Sequence, residues 1–205
     1  MAAARAALIW AGIAVAVAVP LAVAAASPLL AWRDPVYIAA SFAGVIALIL
    51  LLVQPLLAIG ALPGLSGRRG RRVHAFVGAG LLAAVIVHVL GLWVTSPPDV
   101  VDALLFRSPT PFSAWGVVAM WAVFAAAILA VFRKRLRLRP ALWRLWHMIL
   151  AGTIVTGTVV HALLIEGTMG TLSKVALCAL VVLAAAKAVG DIRYRTRRSR
   201  LGAVS

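Results

Sequence analysis

The sequence is poor in the residues that carry most soluble enzyme chemistry. Its 205 residues include one cysteine, Cys178, and five carboxylates, Asp34, Asp99, Asp102, Glu166 and Asp191. A single thiol excludes an intrachain disulfide and a thiolate metal cluster, and it leaves the redox compartment undetermined. The carboxylates fall at the ends of the apolar runs or between them, so none is paired for acid–base hydrolysis inside an apolar interior. No Gly-x-Gly-x-x-Gly stretch follows a strand-like run, so nothing resembles a dinucleotide fingerprint. Charged residues make up only 12% of the chain against 64% hydrophobic, and the mean hydropathy is +1.08. That composition suits a bilayer better than water.

What charge there is has one sign: 20 lysines and arginines give a net +15. In a soluble chain this would suggest nucleic acid. Here the cations sit in short tracts between apolar runs, without aromatic residues interleaved on a globular face, so the expected partner is membrane lipid and not nucleic acid.

Six apolar segments are long enough to span as helices: Ala6 to Leu30, Val36 to Leu62, Val73 to Val94, Ser113 to Phe132, Leu142 to Ile165, and Thr171 to Val189. Between them lie turn residues: Pro63 with Gly64, Pro97 with Pro98, Pro109 with Pro111, Pro140, and Gly167 with Gly170. The expected fold is one all-α domain over residues 1–205, a six-helix membrane bundle, ending in a basic tail over 190–205.

Every second connector is basic. Arg68, Arg69, Arg71 and Arg72 follow the second segment, Arg133 to Arg139 the fourth, and Arg193 to Arg200 the sixth. The other connectors hold Arg33, Arg107 and Lys174 with four of the five acids. By the positive-inside rule both termini are cytoplasmic. The first segment, with Arg5 ahead of it and small residues at Ala24 to Ser27, also has the form of a cleaved leader. Cleavage would leave the direction of every later helix unchanged.

The four histidines form two pairs of one spacing, His-x13-His: His74 and His88 on the third segment, His147 and His161 on the fifth. Fourteen residues at about 100° each return to within about 40° of the start, so both imidazoles of a pair share one helix face. At about 1.5 Å per residue they lie about 21 Å apart along the axis. Helices three and five run in the same direction. His74 therefore faces His147 near the cytoplasmic end and His88 faces His161 near the outer end, giving two bis-imidazole sites with room for two stacked haems. Imidazole is a common axial haem ligand, and two of them leave no open iron position, which favours electron transfer over oxygen binding.

Small residues near the ligands, Gly78, Gly91, Gly152 and Gly157, are placed to admit a porphyrin edge, although glycine also packs membrane helices for its own sake. Arg71, Arg72, Arg144, Trp143 and Trp146 lie beside the inner pair, where they are candidates to bind propionates or cap the ring. Trp10, Trp32, Trp93 and Trp115 read as interfacial anchors.

Two stretches, GRRVHAFVGAGLLAAVIVHVL and RPALWRLWHMILAGTIVTGTVVHALL, resemble the ferric reductase-like transmembrane domain family. That family takes in ferric reductases, the membrane part of NADPH oxidases, and the haem subunit of a bacterial methionine-sulfoxide reductase system. The resemblance implies six helices, two b-type haems, and electrons moving outward from a cytoplasmic donor. His74 and His147 would hold the inner haem, and His88 and His161 the outer one. It also implies a multi-pass protein of a bacterial inner (cell) membrane.

Family members that are complete reductases continue into a flavin and nicotinamide domain. With no such fingerprint here, the expected donor is a separate flavoprotein, a membrane quinol, or FMN or FAD held by a partner or at the inner face. The expected acceptor, on the outer side, is ferric iron or a partner oxidoreductase. Cytochrome b of the bc complexes shares the histidine spacing, but its Pro-Glu-Trp-Tyr motif is absent. The rival from another class is a small transporter or assembly factor whose histidines line a polar path or bind a metal, and it predicts no haem.

Overall fold

In the computed structural model, the backbone of residues 1–201 and the side chains of residues 1–194 are described. The expected basic tail over 190–205 is corrected in part, since 190–201 continue the last helix; residues 202–205 and the side chains beyond 194 lie outside the described residues. Among those described there are seven α-helices and no strand: α1 (Ala2–Ala25), α2 (Pro35–Ile59), α3 (Gly67–Thr95), α4 (Pro97–Leu104), α5 (Pro111–Val131), α6 (Pro140–Leu164) and α7 (Thr171–Leu201). All but α4 are long and apolar enough to cross a membrane.

Local chemistry sets most of the boundaries. The first helix stops at Ala25, short of Leu30. Pro28 disfavours helix in the residue before it, and Ser27 accepts a 3.3 Å hydrogen bond from the Leu29 N–H to start a short 3-10 turn over Pro28–Leu30. Asp34 caps α2, accepting from the Val36 N–H at 2.7 Å with Pro35 in the first turn. That helix ends at Gly60, whose φ of 69° is the left-handed conformation that glycine adopts without a Cβ clash.

While α7 runs on to Leu201, twelve residues past the expected Val189, the largest shift at a helix start is at α3, which begins at Gly67 rather than Val73. The Arg68 to Arg72 tract is its opening turn and not a loop, since arginine is a good helix former. Gly70 permits this: a Cβ there would lie 2.5 Å from the Leu65 carbonyl oxygen. The Pro97–Pro98 connector is also helical, because proline is tolerated in a first turn, and it forms α4 with Asp99 near its positive end.

The most deeply buried helix is α2, with ten buried residues from Ala40 to Ile59. It packs along α3 on one side and α7 on another, while α5 packs along α6, and α6 closes on α7. The shared core joins Leu48, Leu51 and Leu52 of α2 to Leu177, Cys178 and Val181 of α7, with Val123, Ile154 and Leu81 from α5, α6 and α3. The bundle thus contains two antiparallel hairpins, α2–α3 and α5–α6. The histidine-bearing helices, α3 and α6, bury only two residues each and do not pack along one another.

Candidate functional site

Each hairpin supplies one histidine helix and one helix that holds its imidazoles. In α2–α3, Nδ1 of His88 donates to the Ala40 carbonyl at 2.8 Å, and Nδ1 of His74 to the Gln54 carbonyl at 3.2 Å. The two acceptors are fourteen residues apart, as are the two histidines. In α5–α6, Nδ1 of His161 donates to the Phe112 carbonyl at 2.9 Å. The fourth case differs: Nδ1 of His147 is buried with no hydrogen-bond partner among the described residues.

A carbonyl oxygen only accepts, so these three imidazoles carry their proton on Nδ1, and Nε2 is left as a free lone pair. Metal-ligating histidines are commonly oriented in this way, with the second nitrogen donating to a carbonyl.

The helices bring the imidazoles together across the gap between the hairpins. His74 and His147 have ring centroids 6.3 Å apart with planes at 70°. An imidazole nitrogen lies about 2 Å from a bound metal and about 1.1 Å from its own ring centroid, so two imidazoles on opposite sides of one ion have centroids about 6.2 Å apart. The observed spacing fits one ion between them. His88 and His161 likewise lie within electrostatic reach of each other. Among the described residues no three His, Cys, Asp or Glu side chains converge on a common point.

Glycines shape the layer of His88 and His161. A Cβ on Gly44 of α2 would lie 3.0 Å from Nδ1 of His88, and one on Gly116 of α5 would lie 2.7 Å from Nδ1 of His161. Each glycine sits four residues after the carbonyl that accepts from the same histidine, so the two hairpins repeat one device. The glycines singled out from the sequence behave differently. Gly91 and Gly157 are helix-packing positions, closing on Ala40 and on Ala119 with the Trp115 carbonyl. Gly78 closes on the Gln54 amide, and only Gly152 looks onto open space.

Beside the basic pair, Trp143 stacks on His147 with centroids 5.1 Å apart and planes within 7°. The Arg133 guanidinium lies 4.4 Å from the centre of the Trp143 ring. Arg71 and Arg144 each stand three residues before a histidine, within about 60° of it around the helix, whereas Arg72 is about 160° away from His74. All three arginines and Trp146 are exposed.

The family model for the ferric reductase-like transmembrane component matches residues 43–158, more than half of the chain. The chain belongs to this family. No curated protein and no solved structure matches it. The ferric reductase-like region contains Gly44, Gln54, His74, His88, Gly116 and His147, and His161 lies three residues past its end. Membership, with six apolar helices, makes this a multi-pass integral membrane protein of a family that serves membrane electron transfer and works with lipid and separate redox partners.

The histidine spacing singles out the four imidazoles but not the groups around them: nothing in the sequence pattern points to Gly44, Gly116, Arg133 or the carbonyls of Ala40 and Phe112. Only Gln54 carried a signal: it is the sole glutamine and stands inside an apolar run, where a polar side chain is costly and commonly functional. Its Oε1 is buried without a partner among the described residues.

Proposed function

We propose that this ferric reductase-like protein is a dihaem b-type cytochrome that carries electrons across the membrane. His74 and His147 hold the haem at the arginine-rich end, and His88 and His161 hold the one at the far end. The observation that carries this reading is the facing imidazole pair at 6.3 Å, with Nδ1 donation to backbone carbonyls at three of the four histidines. When bound, haem supplies the one-electron redox change, and the protein supplies ligation, orientation and a low-dielectric surround.

The chain's own residues have three roles here. The Ala40, Gln54 and Phe112 carbonyls fix the tautomer that presents Nε2. Gly44 and Gly116 leave room for the far-end imidazoles. Arg71 and Arg144, on the histidine faces at the basic end, are the better placed of the arginines to pair with propionates, and Arg72 the worse.

The basic connectors face the cytoplasm on this reading, with both termini on that side, in a bacterial inner membrane. Electrons come from a flavoprotein, a membrane quinol, or FMN or FAD at the inner face. They leave to ferric iron or a partner oxidoreductase outside.

The test is a dithionite-reduced minus air-oxidised absorption spectrum of the detergent-purified protein, with a pyridine haemochrome count. Two low-spin b haems per chain are expected. A folded sample, expressed with ample haem supply and containing none, would overturn the reading in favour of a transporter or assembly factor.

A further inference from the structure

Three imidazoles are fixed by a backbone carbonyl and His147 is not. Its Nδ1 is buried and unpaired among the described residues, so no hydrogen bond sets the rotation of its ring. What lies against the ring is Trp143, stacked with its plane within 7° of parallel and its centroid 5.1 Å away. Trp143 is itself tethered to the end of α5: its Nε1–H donates to the Leu129 carbonyl at 3.4 Å, and Arg133 lies over its face.

We propose that Trp143 is the positioning residue for His147, doing by stacking what the other three sites do by hydrogen bonding. It follows that the His74/His147 pair is the weaker donor pair, and that its haem has the higher reduction potential of the two. This rests on the dihaem reading above.

The physical reason is ligand basicity. Donation from Nδ1 to a carbonyl moves electron density toward Nε2, and a stronger axial donor favours the oxidised iron. At the far end both imidazoles donate, at 2.8 and 2.9 Å. At the basic end one donates at 3.2 Å and the other does not donate. The arginines there act in the same direction, because nearby positive charge favours the reduced, less positive iron.

The experiment is an optical redox titration of the full-length purified protein, with electron paramagnetic resonance of the ferric signals and a haem count. Two waves are expected, of which His74→Ala removes the higher and His161→Ala the lower. In Trp143→Leu, water reaches Nδ1 and accepts from it. The higher wave alone should then move negative, or that haem should be lost so that the count halves. Trp143→Phe keeps a stacking ring and should restore the wild-type values, which a merely space-filling tryptophan does not require. The proposal is overturned if Trp143→Leu leaves both waves and both signals in place, if it alters the lower wave instead, or if His74→Ala removes the lower wave. A wild-type preparation that lacks haem overturns the dihaem reading itself, and this proposal with it.

Discussion

At the scale of single residues, the far-end site is the more tightly determined of the two, because each of its imidazoles is held between a carbonyl and a glycine four residues further on. A methyl group on Gly116 would stand 2.7 Å from Nδ1 of His161, and one on Gly44 would stand 3.0 Å from Nδ1 of His88. Neither imidazole can retreat without losing its bond to Phe112 or Ala40. Overpacking of this kind typically costs about 1–3 kcal/mol. We therefore expect Gly116→Ala to lose the far-end haem while keeping the other, with Gly44→Ala milder, as read by haem count and difference spectra. Equal loss of both haems would show that the glycines act on the bundle rather than on one layer. The ligand assignment has a sharper check. His88→Ala and His161→Ala should abolish the same spectral component, and His74→Ala and His147→Ala the other. Four variants each affecting a different fraction would sink the pairing.

At the scale of elements, the sequence made the histidine helices legible because side-chain period and helix geometry together decide which residues share a face, and no tertiary knowledge is needed for that. The holding helices were not legible. The acceptors on α2 and α5 are main-chain carbonyls, which leave no trace in residue type, and Gly44 and Gly116 are indistinguishable by letter from the glycines that merely pack. The arginines before Val73 have the composition of a connector because charge marks a membrane boundary, yet helix can continue through such a tract, and α3 begins at Gly67. The first helix stands outside this machinery. It carries no histidine, buries only Pro20 and Ala24, and touches α2 and α7 lightly. Removing residues 1–27 should therefore leave both haems bound, with a lowered melting temperature as the main effect. Loss of haem in a folded, membrane-inserted truncation would assign α1 a role in the site that its contacts do not suggest.

At the scale of the whole molecule, the two hairpins meet where α3 touches α5 and through the core they share with α7, while α3 and α6 do not pack along one another, so a ligand held between His74 and His147 would add a further link between the halves. Binding to the folded state alone stabilises it by mass action, about 4.1 kcal/mol at a thousand times the dissociation constant. Protein made under haem starvation should melt lower and be cut sooner in the 105–110 connector between the hairpins than the haem-loaded form. Unchanged melting and proteolysis would mean the hairpins are joined by packing alone. The bundle is also polar in direction. Arg5, the stretch from Ile59 to Leu62, Lys187 and Asp191 line one cavity, which places the start of α1, the end of α2 and the later part of α7 at a single end. Arg133 and Trp143 mark the turn from α5 to α6, at the end where α3 begins with its arginines. With that end inside, a reporter active only outside the cytoplasm should work when fused after Arg107 and fail after Arg137, and the reverse result would invert the path. The orientation bears on energetics as well. If the basic-end haem has the higher potential, the step outward to the far haem is uphill. A membrane potential negative inside favours that outward step by up to about 2.3 kcal/mol per 100 mV for a charge crossing the full thickness. Outward transfer should then slow when the potential is collapsed with an ionophore in reconstituted vesicles, whereas transfer running downhill between the haems would be far less sensitive.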